Sequence, residues 1–294
     1  MMTEVFTHNY GHFDLLPNEM VINILISIDV NTLFDCRLVC KRWQKLIDTY
    51  VFQEKAFREN KFVNNGQGYY SFSQISANDV RRLDLPWYVF YIICKYDPFN
   101  RNLVKNHCGQ YGWKYWESNN DSFSSQNDLN CFWTVEQIPQ SAHLMLDDSN
   151  FDGHTSCFSS YEKRSLTKDQ EIVFKDHGLN DNIMKTLQPQ IAVSAWYRCA
   201  NHAAGKYTLR VYLNNASKHL LQAHIISKKM SEDRISLWNK VSYMFQTEGN
   251  ESYLTISHYM ENRPQFPLLL YVIDGFKVSG SVIKILLPSK FKSK

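Results

Sequence analysis

Two closely spaced apolar stripes near the N-terminus constrain the folding of this chain more than any other feature. Pro17 and Glu19 favour a helix start, because proline's fixed φ suits the first turn and an acidic side chain suits the positive end of the helix dipole. Apolar residues then recur at helical spacing, with Asn31 and Thr32 as candidate N-caps between two runs. The first run holds Met20, Val21, Ile24, Leu25 and Ile28, and the second holds Leu33, Cys36, Val39, Cys40 and Trp43.

Two short helices cannot bury both stripes against each other. Leaving these side chains in water would be unfavourable, at about 25 cal/mol per Å² of apolar area. The stripes therefore pack either on the rest of the chain or on another protein. Periodicity alone does not distinguish these two interpretations.

The residue identities in this stretch resemble the F-box. They are Leu16-Pro17-x-Glu19, Ile24-Leu25, Leu33 and Cys36-Arg37-x-Val39-Cys40-Lys41-Arg42-Trp43, of which the tail is the most specific part. The resemblance covers residues 13–57 and implies a small helical module that docks on the Skp adaptor of a cullin-RING ubiquitin ligase. The adaptor-binding residues that it implies are Leu15, Leu16, Pro17, Ile24, Leu25, Leu33, Cys36, Val39, Cys40 and Trp43.

Composition and charge exclude several classes of protein. A hydrophobic content of 44% is typical of a folded chain with a sizeable core, and a net charge of +3 does not indicate a nucleic acid partner. No apolar run approaches the roughly 20 residues of a membrane span, so we expect no membrane insertion. The 7 cysteines are odd in number and irregularly spaced, which argues against a disulfide framework and favours a reducing, cytoplasmic setting. No zinc, nucleotide or phosphate motif indicates a cofactor.

The sequence pattern changes from helical spacing to alternation near Arg101. Before that point, Asp79–Lys95 predicts a helix that enters at Pro86. After it, many short alternating runs predict an antiparallel β-sandwich of jelly-roll type, with a helical excursion at Gly178–Leu187. The predicted strands are Gly112–Trp116, Phe132–Val135, Ser156–Phe158, Lys163–Thr167, Glu171–Phe174, Gln190–Tyr197, Lys206–Leu213, Ala223–Ile226, Asn239–Phe245, Tyr253–Tyr259, Gly275–Val278 and Ser281–Ile285.

The predicted fold class is therefore α+β, with a helical module, a linker helix and a sandwich. We expect a flexible tail over residues 1–12, the helical module over 13–57 and a linker over 58–100. The sandwich follows over 101–287, and a basic tail over 288–294.

The sandwich region resembles the F-box-associated (FBA) domain of the sugar-recognising F-box proteins. The matching residues are Arg101-Asn102-Leu103-Val104-Lys105-Asn106-x-Cys108-Gly109, Gly112-Trp113, Trp133-x-Val135-Glu136, Cys157–Glu162, Gln188-Pro189-x-Ile191-x-Val193-x-x-Trp196-Tyr197 and Gly275-Phe276-x-Val278. The family implies a receptor for N-glycans on glycoproteins that are returned to the cytosol for degradation. Loops at one end of the sandwich grip the glycan stem in that family.

The sequence departs from the family where the sugar is expected to bind. Leu269-Leu270-Tyr271 stands where the sugar binders carry Tyr-Trp-Lys, and Ser194-Ala195 stands where they carry Lys-Asp. Leucines offer neither flat π faces nor hydrogen bonds to a sugar ring. The glycan- or client-binding residues that the resemblance implies are Phe158, Leu269, Leu270 and Tyr271, and we predict weak or absent binding of chitobiose.

The resulting hypothesis is a non-catalytic receptor subunit of a ubiquitin ligase, which binds Skp, and through it a cullin-RING ligase, together with client proteins or glycoproteins. One alternative is an F-box receptor that reads a protein surface rather than a glycan. Another is a jelly-roll glycan hydrolase, for which Asp147-Asp148 and Glu232-Asp233 are candidate carboxylates, although short acidic runs are more typical of solvated loops.

Overall fold

The structure, a computed structural model, describes residues 15–59, 61, 85–99, 101–118, 133–138, 151–160, 165–199, 204–229, 237–263 and 276–286. These residues belong to two compact units, one helical and one rich in strands, which divide between Asp97 and Pro98. Within these ranges, no helix combines the length and the apolar character that crossing a membrane requires.

Over its described residues, the helical unit contains five α-helices. They are α1 (Asn18–Ile26), α2 (Val30–Cys36), α3 (Lys41–Leu46), α4 (Phe52–Arg58) and α5 (Trp87–Tyr96), with a π-helical turn over Ile47–Val51 between α3 and α4. The predicted entry of a helix at Pro86 is confirmed, because Pro86 is the N-cap of α5. The helices α3 and α4 and the π-helical turn between them form one continuous helical run, Lys41–Arg58.

The N-cap of α2 differs from the prediction. Asp29 occupies it, and its Oδ1 accepts hydrogen bonds from the backbone N–H groups of Asn31 and Thr32, both at 3.1 Å. These bonds to Thr32 lower the pKa of the Asp29 carboxyl, because they stabilise its charged form. Asn31 and Thr32, the predicted N-caps, are therefore hydrogen-bond donors to the actual N-cap, Asp29, and α2 begins at Val30.

The second apolar stripe forms two helices rather than one. α2 ends at Cys36, and α3 begins after Cys40, whose Sγ accepts a hydrogen bond from the backbone N–H of Trp43 at 3.4 Å. Cys40 has an extended backbone with φ of −160°, which no α-helix contains. The break leaves a short turn, Arg37–Val39, between α2 and α3.

The core of the helical unit joins α5 to the preceding helices. Phe52 of α4 is buried, and its ring centroid lies 6.0 Å from that of Trp87 and 5.5 Å from that of Tyr91. The buried apolar residues are Val21, Leu25, Ile26, Leu33, Leu46, Ile47, Val51, Phe52, Ala56, Leu85, Val89, Phe90, Ile92, Ile93 and Cys94. The predicted linker helix is therefore a structural part of the helical unit.

The strand-rich unit consists of two antiparallel sheets. The strands within the described part of the unit are β1 (Trp133–Gln137), β2 (Ser156–Ser160), β3 (Ser165–Val173), β4 (Gln190–Cys199), β5 (Ala204–Asn214), β6 (Leu220–Lys229), β7 (Asn239–Gln246), β8 (Tyr253–Arg263) and β9 (Phe276–Leu286). One sheet has the order β1-β2-β9-β4-β7 and the other β3-β8-β5-β6. Helix α6, Asp181–Leu187, lies within the predicted helical excursion. A 3₁₀ turn, Phe174–His177, comes just before it.

The two sheets pack face to face. Tyr197 of β4 stacks on Tyr207 of β5 with ring centroids 4.3 Å apart. Ser281 of β9 shares a hydrogen bond of 3.0 Å with His258 of β8, and Tyr207 contacts the other ring nitrogen of His258 at 2.9 Å. All four residues are buried, so the core lies between the sheets and the predicted β-sandwich is confirmed.

Three predicted features of the strands are wrong. The runs Lys163–Thr167 and Glu171–Phe174, predicted as two strands, belong in their described part to one strand, β3, which ends at Val173 before the 3₁₀ turn. Gly112–Trp116 forms turns rather than a strand, and only Glu117 makes an isolated bridge, to Asp169. The two predicted C-terminal strands are one strand, β9, which passes through Gly280 at φ +58°. Its register with β4 shifts between Ser194 and Trp196, so this strand absorbs a bulge where the sequence suggested a turn.

We predict that the strand-rich unit folds without the helical unit. A fragment that begins near Asp97 should give a β-rich circular dichroism spectrum and one cooperative thermal transition, because its core is built from its own strands. A predominantly helical spectrum, or the absence of a cooperative transition, would contradict the two-unit architecture.

Candidate functional site

Among the exposed apolar side chains that the structure describes in the helical unit, we group five under the name apolar docking surface. They are Leu15, Met20, Ile24, Leu38 and Val39, with exposed fractions of 76%, 52%, 42%, 82% and 64%. Met20 and Ile24 are four residues apart and therefore share one face of α1. Leu38 and Val39 belong to the turn between α2 and α3. Such a set of exposed apolar residues is typical of a protein-binding surface.

Arg42 holds the two parts of this surface together. Its guanidinium donates hydrogen bonds to the carbonyl oxygen of Leu16 at 2.5 Å and to Oδ1 of Asn18 at 2.9 Å. Leu16 and Asn18 flank the start of α1, whereas Arg42 is in the first turn of α3. The turn that carries Leu38 and Val39 is therefore fixed next to the start of α1.

Arg37 fixes the other end of the turn. It makes a bidentate ion pair with Asp48, with N–O distances of 2.6 and 3.1 Å. Its guanidinium also lies 3.6 Å from the ring centroid of Trp87 on α5. Bidentate pairing and stacking both require the planar guanidinium. These contacts order the turn backbone while Leu38 and Val39 stay exposed.

The structure separates the ten predicted adaptor-binding residues into three groups. Leu15, Pro17, Ile24, Val39 and Cys40 are exposed, and Leu16, Cys36 and Trp43 are partly buried. Leu25 and Leu33 are fully buried, so they form the core of the unit and do not reach its surface. The resemblance to the F-box assigns both to the adaptor interface, and their place in an apolar stripe does not reveal whether the core of the unit covers them.

Sequence reasoning did not select Met20 and Leu38. Met20 precedes Ile24 by one helical turn, a signal that the pattern contained. Leu38 interrupts the motif Cys36-Arg37-x-Val39 at the position where any residue is allowed, and its 82% exposure follows from the break between α2 and α3. A sequence read as one continuous helix gives no indication of this break.

In the sandwich, the predicted glycan-binding residues are only partly described. Leu269, Leu270 and Tyr271 lie outside the described residues. Phe158 is on β2 and fully buried, with ring contacts to Trp113 and Trp116 at centroid distances of 5.8 and 5.7 Å. The side chain of Phe158 therefore contributes packing and does not offer its face to solvent. The carboxylate pairs Asp147-Asp148 and Glu232-Asp233 also lie outside the described residues.

Ser194 and Ala195, which replace a lysine and an aspartate of the sugar binders, are on β4. Ala195 is fully buried and faces the core, whereas Ser194 is partly exposed on the opposite face of the sheet. Burial of Ala195 means that a carboxylate at this position would have to displace packed neighbours or find a buried partner.

A lysine is enclosed by aromatic rings next to Phe158. Lys168 is fully buried, and its Nζ lies 3.6 Å from the ring centroids of both Trp116 and Phe158 and 5.8 Å from that of Trp133. No hydrogen-bond partner of its Nζ is found among the residues that the structure describes. Burial lowers the pKa of Lys168 well below its usual range, because the ammonium form loses its hydration. The same cause lowers the pKa of the neighbouring His258.

The buried cysteines are protonated thiols at neutral pH. Burial raises the pKa of Cys94 and Cys157 to about 12 and that of Cys108 and Cys199 to about 11. Thiols of this kind are inert packing groups rather than nucleophiles. Within the described ranges, no three His, Cys, Asp or Glu side chains are grouped as a metal site would require.

Comparison with known proteins assigns both units. The family model of the F-box associated region (FBA) matches residues 94–285, and the F-box-like model matches residues 13–58. The chain is therefore an F-box protein of the FBA family, as the sequence motifs predicted.

Curated relatives agree with this assignment. F-box only protein 6 of Mus musculus is 28% identical over 207 residues, which cover 70% of this chain and 61% of that protein. The match thus spans about three fifths of the length of that relative. F-box only protein 44 of Mus musculus is 22% identical over 255 residues, which cover 86% of this chain and 84% of that protein. Among solved structures, Family 16 Carbohydrate Binding Module-2 aligns with 12% identity and a TM-score of 0.37, over 62% of this chain and 99% of that chain.

Proposed function

We propose that the protein is the substrate-recognition subunit of an SCF-type cullin-RING ubiquitin ligase. The helical unit docks on Skp through the apolar docking surface, and the FBA sandwich binds a client protein. The observation that carries this proposal is the exposure of Leu15, Met20, Ile24, Leu38 and Val39 on a module that has a complete core without them. Apolar side chains of this size stabilise a complex when a partner removes them from water.

The polar contacts of the helical unit support this role. Lys55 donates to the carbonyl oxygen of Ile26 at the end of α1 at 3.0 Å and pairs with Glu59 at 2.9 Å. Arg58 donates to Asn23 of α1 at 3.0 Å. These bonds, together with those of Arg37 and Arg42, fix α1 relative to α3 and α4. A preorganised surface loses little conformational entropy on binding.

In this proposal the chain positions a client and performs no bond chemistry. Ubiquitin transfer is carried out by the other subunits, and the receptor contributes by raising the local concentration of the client near them. The buried, protonated thiols described above agree with such a role.

The experiment that tests this proposal is co-expression of the full chain with Skp. We expect the two proteins to co-elute in size-exclusion chromatography and to recruit the cullin-RING pair. Elution of the full chain apart from Skp, with both proteins folded, would exclude the proposed function.

A further prediction concerns the client. We expect weak or absent binding of chitobiose-containing glycans, because Leu269 and Leu270 replace an aromatic pair that would stack on the sugar. Aromatic anchors often contribute about 2 kcal/mol or more, and each 1.4 kcal/mol is about tenfold in affinity, so the loss is about a hundredfold or greater. The triple variant Leu269→Tyr, Leu270→Trp, Tyr271→Lys should regain binding in calorimetric titration with Man3GlcNAc2.

A matched control for this titration is the variant Leu220→Tyr, Leu221→Trp, which adds the same aromatic groups at an exposed site elsewhere on the sandwich. It should not increase binding. Micromolar binding by the natural chain would show that the sugar is held without the aromatic pair, and the prediction would then be wrong.

A further inference from the structure

Strand β6 is a free edge of the four-stranded sheet. Among the described strands it pairs only with β5, over the register from Lys206–Lys229 to Asn214–Leu220. Its other side therefore presents a row of backbone N–H and C=O groups. Most native edge strands are short, bulged or covered, whereas β6 is 10 residues long and none of its residues is buried.

The side chains of β6 alternate between two environments. Gln222, His224 and Ile226 are partly buried, and His224 stacks on Tyr243 of β7 with centroids 3.3 Å apart. On the opposite face, the exposed residues are Leu221, Ala223, Ile225 and Ser227. Leu221 is 40% and Ile225 is 55% exposed. The outward face of the edge is therefore apolar over most of its length.

Charge on β6 is concentrated at one end. Lys228 and Lys229 close the strand, both are exposed, and Lys229 is opposite Lys206 of β5. β6 contains no acidic residue. The C-terminal end of β6 is thus positively charged, and close contact with it favours a partner segment that carries acidic side chains.

We propose that β6 accepts an extended segment of another protein by antiparallel β-strand addition. The segment would be apolar at alternate positions, where it contacts Leu221 and Ile225, and acidic at its N-terminal end, which antiparallel pairing places opposite Lys228 and Lys229. Backbone hydrogen bonds to the free edge supply the affinity, and the alternating pattern and the acidic end supply the specificity.

A second copy of this chain fits this edge less well. Antiparallel pairing of two β6 strands would place Lys228 and Lys229 of each copy opposite Leu220 and Leu221 of the other. Neither pair of lysines would then meet an acidic side chain, and lysines on an edge oppose such self-pairing. The role of β6 as a client-binding edge rests on the proposed function. Peptide binding is measured without Skp, however, so the failure of one proposal is distinguishable from the failure of the other.

The test is fluorescence anisotropy of the full chain with a labelled peptide, acetyl-Glu-Glu-Val-Thr-Val-Thr-Val-Thr-Val-amide, which is long enough to extend from Lys229 to Leu221. We expect saturable binding that weakens at least tenfold in Ile225→Lys and in the double variant Lys228→Glu, Lys229→Glu. A peptide that begins with two lysines should reverse this order and bind the double variant better than the natural chain. A reversed preference of this kind identifies β6 as the binding site even if one variant is less stable, because loss of stability would weaken the binding of both peptides.

Two controls define the outcome. Tyr111→Lys places the same charge at an apolar residue that is 64% exposed outside β6, and it should leave the affinity unchanged. N-methylation of alternate peptide bonds should abolish binding, because it removes the backbone donors. The proposal is overturned if the peptide does not bind at millimolar concentration or if charge exchange has no effect. A dimer in sedimentation velocity that Ile225→Lys dissociates would also overturn it, since the occupant would then be a second copy.

Discussion

Replacing Ile24 and Val39 together with alanine is expected to lower the affinity for Skp by about a hundredfold or more. Both side chains are exposed, one on α1 and one on the turn between α2 and α3, and the folded unit does not need them for its core. Truncation of an anchor at a protein interface often costs about 2 kcal/mol. Two anchors lost together would cost several kcal/mol, and 1.4 kcal/mol corresponds to about tenfold. Surface plasmon resonance with immobilised Skp measures the change.

Two further variants separate binding from folding. Tyr50→Ala removes an aromatic side chain that is 55% exposed on the π-helical turn, and it should leave the affinity almost unchanged. Leu33→Ala removes a fully buried side chain and should lower the melting temperature as well as the binding, since cavities of this kind cost about 2–5 kcal/mol. Equal affinity of the Ile24→Ala, Val39→Ala variant and the natural chain would place the Skp interface elsewhere.

The second large effect is expected at Lys168, where substitution by methionine should stabilise the protein. The amine is fully buried without a hydrogen-bond partner, and such a group costs about 1–3 kcal/mol. Attraction to the rings of Trp116 and Phe158 offsets part of this cost. Methionine has a similar length and no polar atom, so we expect a gain of about 2 kcal/mol in the free energy of unfolding, measured in urea.

The same substitution at Lys277 should have the opposite sign. Lys277 is also buried, but its ammonium pairs with Glu136 at 2.5 Å. Lys277→Met would leave that carboxylate without its cation, which we expect to cost about 2 kcal/mol. This is less than the 3–5 kcal/mol of a fully buried pair, because the Glu136 side chain remains 21% exposed. If both substitutions destabilised the protein equally, our account of Lys168 would be wrong.

Lys168 also predicts a pH dependence. Its pKa is lowered in the folded state, so the unfolded chain binds the additional proton between the folded pKa and the usual value of 10.5. The free energy of unfolding should therefore rise as the pH increases through this interval, with a smaller slope in Lys168→Met. Urea titrations at several pH values up to 10 measure the difference in slope. Identical slopes for the two proteins would contradict the lowered pKa.

The sequence predicted the fold more completely than the site, for physical reasons that particular residues illustrate. Alternation identified most strands, because a sandwich strand exposes every second side chain. It failed at Gly112–Trp116, where Trp113 and Tyr115 alternate with Gly112 and Lys114 although the segment forms turns, and at Gly280, where a bulge resembles a strand end. Both failures depend on backbone conformations, such as φ +65° at Gly112, that alternation does not encode.

The site was harder to predict because exposure is a property of packing. Leu25 and Ile24 are adjacent apolar residues on the same helix, yet one is fully buried and the other is 42% exposed. The helical pattern assigns both to one broad stripe, and the packing of α1 on the π-helical turn and on α4 decides which becomes core. Phe158 illustrates the same limit in the sandwich, because its burial under Trp113 and Trp116 follows from segments far apart in the sequence.

The contact of Trp87 with Arg37 and Phe52 has a consequence for transplanting the adaptor-binding module into another protein. A chimera that borrows only residues 13–57 would lack α5, and with it the ring that covers Arg37 and the side chains that bury Phe52. Arg37, at the start of the turn bearing Leu38 and Val39, would then keep its ion pair with Asp48 but lose its contact with Trp87, although every interface residue would still be present. The smallest unit that can be transplanted therefore extends to Asp97. In our proposal, binding of the adaptor depends on α5 although α5 does not contact the adaptor.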